Sequence, residues 1–229
     1  MRLKSTIPLR AIDEQGVFVS PQDTVTTPGR TEFMSTADFY LLYLHGFNSS
    51  PLSSKARITF DYCARLGIAD RIAVPELPHV PALAIAQMCE IIEAQTLPVV
   101  VMGSSLGGYY ATYLAERYGL KAALINPAVN PAELWHEHLG ENRNYYSGRR
   151  YTITEEHVQQ LRDIDTQQLR HAHNYLLLVQ TGDETLDYRL AVDKYKSSTS
   201  IIQEGGNHSF ENYEEMLPTI FQFLAAPKS

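Results

Sequence analysis

From residue 39 onward, near-continuous apolar runs alternate with segments whose apolar residues recur at helical spacing. "FYLLYLHG" (39–46), "LPVVVMG" (97–103), "KAALIN" (121–126) and "YLLLVQTG" (175–182) are runs of the first kind, the mark of strands buried on both faces. The shorter runs "RIAVP" (71–75) and "TSIIQEG" (199–205) predict two more strands. Residues 53–66, 82–95, about 105–118, near 186–196 and 211–224 predict helices, the first stopping at Gly67 and the third at Gly119. A polar stretch from 132 to 172 also reads as helical. Strands alternating with helices imply right-handed crossovers and a mostly parallel sheet of about six strands with helices on both faces. The fold class is α/β.

The first 36 residues break this pattern. "SPQDTVTTPGRTEFMST" (20–36) is rich in Thr, Pro, Ser and Gly and predicts a loop or disordered lead-in. "GVFVS" (16–20) has the composition of a short strand, but the sequence offers it no evident partner. Met34 stands directly before the ordered pattern, so 1–36 is expected to be a dispensable extension and 37–229 the domain.

Composition narrows the function classes. Apolar residues at 44% and charged residues at 20% are ordinary for a soluble globular domain. A net charge of −7 argues against a nucleic-acid partner, since phosphate binding needs a basic face. Two cysteines, Cys63 and Cys89, are too few for a disulfide framework and point to a reducing, cytoplasmic setting. No apolar run approaches the roughly 18 residues of a membrane span. Arg2 and Lys4 lack the apolar core of a signal peptide behind them. Oligomeric state is left open.

The chemistry concentrates at "VVVMGSSLGGYY" (99–110). Gly103-Ser104-Ser105-Leu106-Gly107 matches G-x-S-x-G, after a buried strand and before a helix, the setting of a nucleophile elbow. Residues two positions either side of the nucleophile must be small. Centring on Ser105 places glycine at both, whereas centring on Ser104 places Met102 and Leu106 there. Ser105 is the candidate nucleophile. The competing reading is a tight glycine turn with a serine N-cap.

A serine needs a base. Of the eight histidines, His208 lies in the glycine-rich "EGGNHSF" after the last predicted strand, where it can reach across the strand ends. His136, His138, His157, His171 and His173 fall in the polar insert, without the carboxylate and cysteine company of a zinc site, so no metal is expected. "QTGDETLD" offers Asp183 and Asp187 to orient the imidazole. Asp183, nearer the strand end, is preferred; Asp187 is the alternative acid and can instead cap the next helix, with Glu184 third. Backbone N–H groups of Phe47, after His45-Gly46, and of Leu106 are the candidate oxyanion hole. Such a site needs no cofactor.

Four blocks, "YLHGFNSSPLSSKA", "GSSLGGYYATYLAERYGLKAALINPAVNP", "QTGDETLDYR" and "GGNHSF", together resemble the YqiA-type bacterial esterases, an α/β-hydrolase family, over residues 38–224. The resemblance implies a serine esterase acting on short acyl esters, with acyl-CoA thioesters as a second substrate class, and carries Ser105, Asp183 and His208 over as the triad. Members often begin close to the position of Met34. Against the wider fold, the chain is expected to lack the first two antiparallel strands and to carry a small cap insert at 132–172, with Trp135, Tyr145, Tyr146 and Tyr151. "NYYSGRRY" holds two arginines that could meet an anionic group, although a solvated loop is the better reading. A non-catalytic binding protein on the same fold, or an acyltransferase using the same residues, are the other functions consistent with this pattern.

Overall fold

The computed structural model describes residues 11–12, 18–19 and 38–227. Its strands are β1 (Ala11–Ile12), β2 (Phe18–Val19), β3 (Tyr40–Leu44), β4 (Ile72–Ala73), β5 (Val99–Ser104), β6 (Lys121–Ile125), β7 (Gly140–Arg143), β8 (Arg150–Ile153), β9 (Tyr175–Gln180) and β10 (Thr199–Gln203). Its α-helices are α1 (Ser54–Arg65), α2 (Pro81–Glu93), α3 (Leu106–Tyr118), α4 (Pro131–His136), α5 (Glu155–Asp163), α6 (Tyr188–Lys194) and α7 (Tyr213–Ala225). The main sheet runs β2-β1-β10-β9-β6-β5-β3-β4, and β7 and β8 form a separate antiparallel hairpin.

The six strands from β4 to β10 are parallel, as the apolar runs predict. Every residue of β5 and of β9 is buried, which explains why these strands read as unbroken apolar runs rather than as alternation. Successive side chains still point to opposite faces. Leu42, Leu44, Val101 and Leu177 join Met88, Tyr109 and Leu114 from α2 and α3 in one core layer. Leu41, Tyr43, Val100, Met102 and Leu178 join Cys63 from α1 and Leu217 and Ile220 from α7 in the other. Gly119, left-handed at φ 64°, ends α3 where the sequence predicts.

Chain order reverses between β3 and β5: the chain leaves β3 for β4 on one side, then returns to lay β5 on the other. Carboxyl ends of neighbouring strands at such a switch point leave a crevice that open α/β sheets use for ligands.

Two expectations are corrected. Phe18–Val19, inside the "GVFVS" run, does have a partner: it pairs antiparallel with Ala11–Ile12, which pairs antiparallel with β10 at Ile201 and Ser200. An antiparallel strand pair therefore precedes residue 37, on the β10 edge, and strands of two residues are too short to leave a period in the sequence. The rest of the expected lead-in, including Met34, lies outside the described residues. The second correction falls in 132–172, which is not helical throughout. The β7–β8 hairpin occupies its middle, between α4 and α5. Its turn residues, Asn144 and a left-handed Gly148 at φ 68°, override the helical spacing of the flanks.

Candidate active site

Ser105 sits between the end of β5 and the start of α3 at φ 57° and ψ −123°, a region few non-glycine residues occupy. The turn holds that conformation through backbone bonds. The Ser105 N–H donates to Ile125 O at 3.1 Å, and Ser105 O accepts from the N–H groups of Gly108 and Ala128 at 2.9 and 3.0 Å. The glycines either side are there because the chain passes itself closely. A Cβ on Gly103 would lie 2.2 Å from Gly107 O, and one on Gly107 would lie 2.1 Å from Leu44 O. Leu106 is the first residue of α3, so its N–H belongs to the unsatisfied first turn of a helix aimed at the crevice.

His208 reaches this serine from the loop after β10. Its Nε2 is 3.1 Å from Ser105 Oγ, and its Nδ1 is 2.8 and 3.0 Å from the two carboxylate oxygens of Asp183. Burial alone would raise the Asp183 pKa. The hydrogen bond from His208 and the N–H groups of Leu186 and Thr185 outweigh that and hold the carboxyl below its ordinary value. Asp187 is elsewhere: it caps α6, accepting from the Arg189 N–H at 3.0 Å and from the Arg189 side chain at 3.2 Å. Glu184, third among the carboxylates, accepts from the backbone N–H of His208 at 2.9 Å and so fixes the loop rather than the ring.

The histidine loop hangs on two buried amides that sequence reading did not single out. Asn126, at the end of β6, donates to Asn207 O at 3.0 Å and His208 O at 3.3 Å, while its Oδ1 accepts from Gln180 N at 3.0 Å. Gln180, at the end of β9, accepts from the N–H groups of Asn207 and Glu211 at 3.1 and 2.9 Å. A polar residue closing an otherwise apolar strand run is the signal that would have found both. Lys55 was missed too. Its ammonium, on α1, donates to Ser209 O at 2.9 Å, and burial brings its pKa down from 10.5 to about 8 despite the opposing pull of Asp183.

The 45–49 loop forms the facing wall. A Cβ on Gly46 would lie 3.1 Å from Ser105 Cβ and 3.6 Å from its Oγ, so glycine lets this loop approach the serine without crowding it. His45 is buried. Leu77 N donates to its Nε2 at 3.2 Å, which leaves Nδ1 to carry the proton and donate to Gly46 O at 3.0 Å. Burial lowers its pKa and so favours the neutral ring, whose two hydrogen bonds shape the loop. Asn48 accepts from the Tyr151 hydroxyl, and Asn144 donates to Ser49 O at 3.1 Å, tying the β7–β8 hairpin to the loop. Phe47 stacks against Trp135 and His138 with ring centroids 5.1 and 5.2 Å away.

Two clefts meet at this loop. One, about 670 Å³, contains Ser105 and His208 together with Lys55, Tyr145 and Tyr146. The other, about 310 Å³, lies beyond Phe47 and is lined by Leu106, Tyr110, Trp135 and Arg149. Arg150 is exposed and pairs with Glu141 at 2.6 Å.

Known structures share this architecture. Alpha/beta hydrolase domain-containing protein 10 from mouse aligns with a TM-score of 0.60 at 17% identity, over 79% of this chain and 87% of that one. Est1E from Butyrivibrio proteoclasticus aligns at 0.56 and 15% identity, over 94% and 96%. The esterase domain of a Rhodothermus marinus protein aligns at 0.55 and 17% identity, over 97% and 100%. At such identities the likeness establishes the fold alone, that of the α/β hydrolases. A family model matches residues 40–225, the whole span from β3 to the end of α7, and the chain belongs to that family, described as the uncharacterised protein family UPF0227, the YqiA family.

Proposed function

We propose that the protein is a serine esterase that hydrolyses short-chain acyl esters through an acyl-enzyme, with acyl-CoA thioesters as its second substrate class. The observation that carries this is the continuous line Asp183 Oδ2 – His208 Nδ1 – His208 Nε2 – Ser105 Oγ, at 2.8 and 3.1 Å. Asp183 accepts the Nδ1 proton, so the neutral ring presents its Nε2 lone pair to the serine hydroxyl. Ser105 Oγ attacks the ester carbonyl carbon while its proton passes to His208 Nε2, and Asp183 stabilises the resulting imidazolium. The Phe47 and Leu106 N–H groups receive the oxyanion, each donor worth on the order of 3 kcal/mol in the transition state. His208 then protonates the leaving alcohol; in the second half it takes a proton from water, whose oxygen attacks the acyl carbon, and returns that proton to Ser105 Oγ as the acyl–oxygen bond to the serine breaks and the acid leaves. The insert at 132–172 acts as a cap, a reading supported by the hydrogen bond from Asn144 to Ser49 O. Residues 1–36 are taken as an extension that contributes no catalytic group. The free, buried thiols of Cys63 and Cys89 support a cytoplasmic setting.

Ser105→Ala is expected to abolish hydrolysis of p-nitrophenyl butyrate, and a fluorophosphonate probe is expected to label wild type stoichiometrically at Ser105. Full activity in the mutant sinks the assignment. A folded wild type that takes up no label makes the chain a binding protein on a hydrolase fold. Product analysis in the presence of an alcohol acceptor separates hydrolysis from acyl transfer.

A further inference from the structure

Tyr145 and Tyr146 are among the most exposed large hydrophobic side chains of the described residues, 82% and 52% accessible, and both line the cleft that holds Ser105 and His208. Exposed rings of this size go uncompensated by the fold and are informative when they gather at one place. Their backbone is held firmly. Asn144 Oδ1 accepts from the N–H groups of Tyr146 and Ser147 at 3.0 and 2.8 Å, Gly148 N donates to Asn144 O at 3.0 Å, and Arg143 Nε donates to Gly148 O at 3.1 Å. The same Asn144, with Tyr151, fastens the tip to the 45–49 loop that walls the serine. The rings are thus presented over the site from a built turn.

Charged groups in this cleft are already engaged, which decides the chemistry of the occupant. Lys55 donates to Ser209 O, Glu214 pairs with Arg65 at 2.7 Å, and Glu211 accepts from Asn207 Nδ2 at 2.9 Å. The aromatic pair shares this lining with the apolar side chains of Phe47, Ile58 and Phe210, and a cleft of about 670 Å³ has room for a substrate arm beyond the scissile bond. We propose that the β7–β8 tip is the subsite for the apolar arm of the ester, with Tyr145 and Tyr146 as its specificity-determining residues. This rests on the serine-esterase reading above.

The test compares wild type with the Tyr145→Ser/Tyr146→Ser double variant on p-nitrophenyl acetate and p-nitrophenyl octanoate. kcat/KM for octanoate is expected to fall about tenfold while that for acetate stays within about twofold, because only the long chain reaches the rings. Binding of p-nitrophenyl octyl ether, which cannot be cleaved, is expected to weaken by a similar factor. An equal loss on both esters, or ether binding that ignores the tyrosines, overturns the proposal. If wild type cleaves neither ester but ether binding still depends on the tyrosines, the esterase reading falls and the apolar subsite stands.

Discussion

Gly107→Ala sets two effects of opposite sign against each other. The residue lies in the first turn of α3, and replacing glycine by alanine in a helix ordinarily gains up to about 1 kcal/mol. Here the new Cβ would meet Leu44 O at 2.1 Å and His45 O at 2.7 Å. Both are backbone atoms at the end of β3, so no rotamer change relieves the contact. Restoring even a tight contact requires the start of α3 to retreat from β3 by roughly 1 Å. Overpacking of that kind costs about 1–3 kcal/mol, and a 1 Å displacement of reacting groups costs on the order of a hundredfold in rate. The helix start carries Ser105 and the Leu106 N–H, and the end of β3 leads into Gly46 and Phe47, so the shift separates the serine from the Phe47 N–H, one of the two proposed oxyanion donors. The expected net result is a loss of about 1–2 kcal/mol, read as a fall in Tm of several degrees, and a kcat for p-nitrophenyl acetate lowered about a hundredfold. Gly108→Ala provides a graded comparison. Its Cβ would lie 2.7 Å from Pro127 Cβ, a milder clash further from the serine, and its effect on kcat should be the smaller. A Gly107→Ala protein as stable and as active as wild type would refute the close-packed elbow as the reason for the glycine.

Asp183→Asn should lower kcat by on the order of 10³–10⁴ with the fold intact, because the amide no longer enforces the Nδ1–H tautomer. Asp187→Ala should cost about 1 kcal/mol of stability through the lost α6 cap and leave kcat nearly unchanged; the reverse pattern in steady-state kinetics would exchange the two roles. For Lys55 the folded pKa of about 8 lies below the unfolded 10.5, so between those values the unfolded chain holds more protons and stability rises with pH. Denaturation of wild type minus Lys55→Met should show this rise, approaching about 3 kcal/mol at full span, whereas parallel stability–pH curves would place the ammonium in solvent.

Strand and helix order from β3 to α7, the insert at 132–172 apart, was legible because each element is specified locally. A strand buried on both faces needs an unbroken apolar run, and a helix on a sheet needs apolar positions three and four apart. The elbow was legible because its turn is local: Gly103 answers to a clash with Gly107 O within five residues of chain, although Gly107 itself answers to the distant Leu44 O. Long-range placement was not. Nearness to the strand end favoured Asp183 over Asp187, but only the folded chain places the first carboxylate against His208 while the second turns back on its own helix. Lys55 touches Ser209 across 154 residues of sequence, and Asn126 holds the histidine loop across 81. The β7–β8 hairpin and β1 escaped notice, and β2 was read without its partner, because a few residues carry no measurable period and strand pairing decides their conformation. The sequence by itself determined the α/β order of strands and helices around the site and the identity of the candidate serine, since both rest on local periodicity and turn sterics. Only the tertiary structure decided which acid meets the histidine and which aromatic rings overhang the cleft, because those depend on strand ends that the sheet, not the chain, makes neighbours.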